Sequence, residues 1–93
     1  MSEVAPDRVL RLAPGCRLGV APGQDDLLLI PEGALRLKGP ARAIVELCDG
    51  QRTLGGVVEE LARRYPDADT GRIEAETAAL VAGLRDRGVI EYG

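Results

Sequence analysis

Two kinds of hydrophobic spacing meet at Gly39-Pro40, and that switch constrains the fold more than any other feature of the chain. Before it, turn residues recur every few positions: Pro6, Pro14-Gly15, Pro22-Gly23 and Pro31-Glu32-Gly33. The apolar segments between them, at Val9–Leu12, Cys16–Val20, Asp26–Ile30 and Ala34–Leu37, are four or five residues long. Segments of that length bounded by Gly and Pro read as strands. Leu18 and Val20 alternate with Arg17 and Gly19, and Leu35 and Leu37 with Arg36 and Lys38. A period of two places one face of each strand on a core and the other in water. Leu27-Leu28-Leu29-Ile30 does not alternate, which predicts a middle strand covered more thoroughly than its neighbours. The expectation is a small antiparallel meander.

After Gly39 the spacing becomes helical. Pro40 suits the first helical position, and Ala41, Ile44, Leu47 and Cys48 recur at intervals of three and four as one buried stripe. Asp49-Gly50 predicts the end of this helix, with Gly50 in the left-handed conformation. Thr53 can cap a second helix with the face Leu54, Val57, Val58, Leu61 and Tyr65, which Pro66 stops. Asp69 or Thr70 can cap a third, with Ile73, Thr77, Leu80, Val81 and Leu84 on one side and Gly88 at its end. Val89-Ile90-Glu91-Tyr92 is long enough for a last strand or an extended tail. Strands near 9–37 followed by helices near 40–48, 54–65 and 71–87 predict one α+β domain over residues 1–93. The helices lie on one side of the sheet, and the other face or the edge is left available.

Composition narrows the function. Twelve Lys and Arg against fifteen Asp and Glu give a net charge of −3, which argues against nucleic acid as a partner. No apolar run reaches the ~18–20 residues of a membrane span, and Met1–Arg8 lacks the blocks of a signal peptide, so a cytoplasmic location is expected. Val, Ile and Leu supply 25 of the 93 residues, while Phe and Trp are absent, so the core must be aliphatic. Cys16 and Cys48 form no CxxC and there is no His to complete a zinc set, so no metal or cofactor is expected.

Catalytic candidates are few. The one serine is Ser2, and no histidine exists to activate a nucleophile. Cys48 falls on a buried stripe and reads as packing; Cys16, beside Arg17, carries no second feature. Asp25-Asp26 reads as a hairpin turn, Glu59-Glu60 with Arg63 and Arg64 as a solvated helix face, and Asp67-Ala68-Asp69 as a cap. Gly55-Gly56 lacks the Lys and Ser/Thr of a phosphate loop. No enzymatic activity is expected.

What remains is an ordered string: Leu27-Leu28-Leu29-Ile30-Pro31-Glu32-Gly33, Leu37-Lys38-Gly39-Pro40-Ala41, Ile44-Val45-Glu46-Leu47-Cys48-Asp49-Gly50 and Arg52-Thr53-Leu54. It resembles the PqqD family of peptide chaperones in pyrroloquinoline quinone biosynthesis, with the Pro-Glu-Gly and Leu-Cys-Asp-Gly-x-Arg-Thr motifs in the family's order. The resemblance runs from about residue 8 to residue 91. Lys38 stands where the family pattern has Asn, and Val89-Ile90 replaces a Trp-Leu ending.

The resemblance implies a winged-helix-like α+β fold, a small antiparallel three-stranded sheet followed by a three-helix bundle. It also implies a non-enzymatic recognition element for ribosomally made, post-translationally modified peptides. The implied partners are the precursor peptide PqqA, bound by strand addition, and the radical S-adenosylmethionine enzyme PqqE, to which the peptide is presented for formation of a Glu–Tyr crosslink. The peptide would lie along Ala34, Leu35, Arg36, Leu37 and Lys38, facing Ile73, Thr77, Leu80, Val81 and Leu84. Arg36 and Lys38 would suit acidic residues of the peptide. The alternatives are a recognition element of another ribosomal-peptide pathway, or a winged-helix DNA-binding regulator, although the third helix mixes Arg72, Arg85 and Arg87 with Glu74, Glu76 and Asp86. An exposed edge strand also invites pairing with, or exchange into, a second copy as a homodimer.

Overall fold

The turn-bounded segments and the helical stripes fold as separate layers. The structure, a computed structural model, describes residues 4–93. Its elements are β1 (Val9–Leu12), β2 (Arg17–Leu18), β3 (Leu27–Ile30), β4 (Gly33–Arg36), α1 (Ala41–Glu46), β5 (Asp49–Thr53), α2 (Leu54–Arg64), α3 (Thr70–Asp86) and β6 (Ile90–Tyr92). The α+β class and the three helices are as expected, with small antiparallel sheets.

The sheet is divided, which spacing did not disclose. One three-stranded sheet has the order β2-β3-β4 and is the meander, with the non-alternating β3 in its middle. The other has the order β5-β1-β6. β1, expected in the meander, is instead clasped between two strands from the later part of the chain. It pairs antiparallel with β6 through Leu10↔Tyr92, Arg11↔Glu91 and Leu12↔Ile90, and Arg11 and Glu91 form an ion pair at 2.9 Å. Its other edge pairs with β5, through Val9↔Thr53 and Arg11↔Asp49.

β5 is the element missed in the sequence. Asp49-Gly50 was expected to close the first helix, but α1 already ends at Glu46 and the backbone from Asp49 onward is extended. Gly50 does have a positive φ of 84°, in a strand rather than a helix cap. The register shift between Val9 and Arg11 marks an irregularity there, where Gly supplies a conformation costly for other residues.

The helix ends follow their residues. Thr53 Oγ1 accepts from the Gly56 N–H at 3.2 Å, and Asp69 Oδ1 from the Gly71 and Arg72 N–H groups at 2.8 and 3.3 Å. At the end of α3, the Gly88 N–H donates to Arg85 O and the Val89 N–H to Leu84 O, both at 2.9 Å. Those two bonds around a left-handed Gly88 form a Schellman motif, and buried Leu84 and Val89 supply its apolar contact.

One aliphatic core joins the layers. Leu10 of β1, Leu28 of β3, Val45 of α1, Val57 and Leu61 of α2 and Val81 of α3 are all at or near full burial. The meander is held to α1 by Arg42, whose guanidinium donates to Gly19 O at 3.1 Å and Asp25 O at 2.8 Å. That contact ties the segment between β2 and β3 to α1. Among the described residues no helix is long and apolar enough to cross a membrane.

Candidate functional site

The strongest candidate is the outer edge of β4. In the antiparallel β3–β4 pair the partners are Leu27↔Arg36, Leu28↔Leu35, Leu29↔Ala34 and Ile30↔Gly33. Alternate residues of such a pair turn their backbone groups toward the partner strand, and the others turn them away. The Leu37 N–H donates to Asp26 O at 2.6 Å, and on β3's other side the Gly19 N–H donates to Leu27 O at 2.9 Å. Both bonds set the same phase: Gly33, Leu35 and Leu37 bond inward, while Ala34 and Arg36 direct their N–H and C=O outward. β4 is an edge strand, and Ala34 and Arg36 are exposed. An extended chain laid beside β4 therefore meets donors and acceptors already at strand spacing.

Past its end, β4 leads into a shallow groove of about 330 Å³ whose walls include Lys38, Pro40, Ile44, Glu76 and Leu80. This groove brings together Lys38 and Leu80, two of the residues singled out in the sequence. Leu35 is half-buried against the core and Leu37 is buried. Ile73 lines a larger hollow beside the groove. Val81 and Leu84 are core residues at 0% and 6% exposure, and Thr77, at 0%, is buried at the end of a narrow recess beneath the hollow. The face of α3 that meets solvent near β4 is thus displaced from the stripe read in the sequence, because that stripe faces α1 and α2.

The charges are also partly committed. Arg36 forms an ion pair with Asp26 across the meander, so its guanidinium is engaged within the sheet. Lys38 has no ion pair among the described residues. On α2, Glu60 pairs with both Arg63 and Arg64, and hydrogen bonds from these guanidiniums hold its carboxyl below the usual carboxylate range.

The two thiols are packing groups. Cys48 is buried, its S–H donates to Ile44 O at 3.4 Å, and burial, assisted by the charge of Asp49, pushes its pKa up to about 12. Burial and the nearby Glu32 and Glu91 also raise Cys16. Neither thiol ionises readily at neutral pH, as a nucleophile must. Ser2 lies outside the described residues. Among the described residues no group of three or more His, Cys, Asp or Glu is placed to hold a metal ion.

Sequence reasoning missed Pro40, Tyr65, Asp67 and Glu76, which line the hollow beside the groove. Tyr65 continues the apolar stripe of α2 in sequence, but the helix ends one residue earlier and Tyr65 is 49% exposed. Pro40 and Ile73 are brought together from distant parts of the chain, so no local spacing signals them.

Comparison with known proteins agrees with this architecture. Residues 27–90 match the family described as "Coenzyme PQQ synthesis protein D (PqqD)". The chain is 36% identical to a protein of Methylococcus capsulatus named PqqA binding protein, over 95% of this chain and 92% of the relative. A protein of the same name from Azotobacter vinelandii is 34% identical over 98% of both chains. The solution structure of the PqqD truncation of Methylobacterium extorquens PqqCD, described as a functional, stand-alone recognition element for ribosomally synthesised and post-translationally modified peptides, superimposes with a TM-score of 0.75. It is 34% identical, and the match covers 95% of this chain and 94% of that one. With both the family pattern and the fold in place along most of its length, the chain belongs to the PqqD family.

Proposed function

We propose that this protein is a non-enzymatic chaperone that binds PqqA by strand addition along β4 and presents it to PqqE in the cytoplasm. The relatives' shared name, PqqA binding protein, supports the choice of peptide. The observation that carries the mechanism is the outward phase of Ala34 and Arg36 on an edge strand whose inner side is fully paired to β3. Backbone bonds to this edge supply affinity for any extended chain; Leu35, Lys38 and the Leu80 groove then select among side chains. Ile73 borders this path, while Thr77, Val81 and Leu84 act from beneath it by fixing α3.

Titration of the labelled protein with PqqA, followed by backbone amide shifts, tests the site. The largest shifts are expected at 34–38 and on the 73–80 face of α3. A footprint confined to β1, β5 and β6 refutes it. Adding PqqE to the binary complex tests presentation, with a ternary complex on gel filtration as the expected result. The same edge can pair with a second copy, and PqqA then competes with self-association.

A further inference from the structure

The hollow beside the groove is not used by strand addition. It lies between the Gly39-Pro40 turn, the Tyr65–Ala68 segment after α2 and the first turns of α3, and has a volume of about 640 Å³. Its walls are apolar at Pro40, Tyr65 and Ile73. Its rim carries Asp67, Asp69 and Glu76 against one cation, Arg72, so three negative charges less one positive leave −2. Arg72 is held by Glu76 at 2.9 Å, and Asp69 caps α3. Asp67 has no ion pair among the described residues.

The floor adds an independent observation. Pro40, Ile44, Leu61, Tyr65 and Ile73, with Glu76 as the one charged group, also border a narrow and largely apolar recess of about 30 Å³, which ends on Thr77. The Thr77 side chain is fully buried and its hydroxyl has no hydrogen-bond partner among the described residues. Buried hydroxyls are ordinarily bonded, and one left alone keeps its full desolvation penalty. A space of this size takes a group of one or two water volumes.

We propose that this hollow is a second peptide subsite that takes a lysine side chain. Four methylenes lie along Pro40, Tyr65 and Ile73. The ammonium, with three donors on a compact head, reaches the Glu76 carboxylate and Thr77 Oγ1, within the field of Asp67. A guanidinium is too broad for the recess, which sets lysine apart from arginine. The hollow shares Gly39, Pro40 and Glu76 with the groove that follows β4, so one bound chain spans both. This subsite rests on peptide binding at β4 and extends it.

The test is a double-mutant cycle by calorimetry, with PqqA and PqqA peptides in which each lysine in turn is replaced by glutamine or arginine. Thr77→Val and Asp67→Asn are the protein variants, with melting temperature as the check on folding. Each is expected to weaken PqqA binding at least fivefold, and one Lys→Gln peptide to lose a similar factor. That peptide should bind wild-type and variant proteins almost equally, and its Lys→Arg counterpart should not recover the loss. Unchanged affinity of Thr77→Val for PqqA, or losses that simply multiply at every lysine, overturns the subsite while leaving strand addition intact. Failure of the wild-type protein to bind PqqA overturns both.

Discussion

Proline substitution along β4 separates a binding edge from a structural one. Ala34 directs its N–H outward and its side chain is exposed, so Ala34→Pro removes a donor that β3 does not use. Edge strands tolerate proline on their outer side, and the preceding Gly33 is the residue type least restricted by a following proline. The folded protein should therefore keep its stability to within ~1 kcal/mol. The peptide loses one backbone hydrogen bond worth about 0.5–1.5 kcal/mol, which corresponds to roughly 2- to 13-fold in Kd, and the ring adds a steric cost. Leu35→Pro is the contrasting variant. Its N–H bonds inward to β3 and its side chain packs on the core, so the meander should come apart, the carbonyl left unpaired on β3 alone costing about 1–3 kcal/mol. Urea denaturation and calorimetric titration with PqqA measure the two effects. A folded Ala34→Pro protein that binds PqqA with wild-type affinity would refute the reasoning.

Other consequences follow from the core and its ends. Leu10→Ala, at a fully buried position between β5 and β6, should cost about 2–5 kcal/mol in urea denaturation. Gly50→Ala forces a Cβ onto a φ of 84°, and a loss of about 1–2 kcal/mol is expected by the same measurement. Cys48 should resist a thiol reagent at pH 8 until the protein is unfolded. Its folded pKa of about 12 lies above the ordinary 9.0, so the native state holds its proton where the unfolded chain releases it. The stabilisation it gives is therefore complete below pH 9 and is lost as pH rises from 9 toward 12, which denaturation at stepped alkaline pH will show, and Cys48→Ala should flatten.

The local elements were legible because their signals are local. Thr53 and Asp69 cap the helices they precede, Gly88 ends α3, and the unbroken apolar run Leu27–Ile30 is the middle strand of its sheet. The ordered Pro-Glu-Gly and Leu-Cys-Asp-Gly-x-Arg-Thr motifs named the family for the same reason. Asp49–Thr53 was misread because Asp-Gly after a helical stripe is a stop signal by itself, and only pairing with β1 makes it a strand.

The sequence by itself thus determined the α+β class, the aliphatic core, the helix caps and the absence of histidine chemistry, all properties of neighbouring residues or of composition. Only the tertiary structure decided that β1 joins β5 and β6 and that β4 is left as an edge with Ala34 and Arg36 facing out. It alone turned Thr77, Val81 and Leu84 inward while opening a hollow between Pro40, Tyr65 and Ile73. Strand partners and pocket walls come from residues far apart in the chain. Spacing cannot encode which of two buried stripes will meet, because that depends on the packing of every other element.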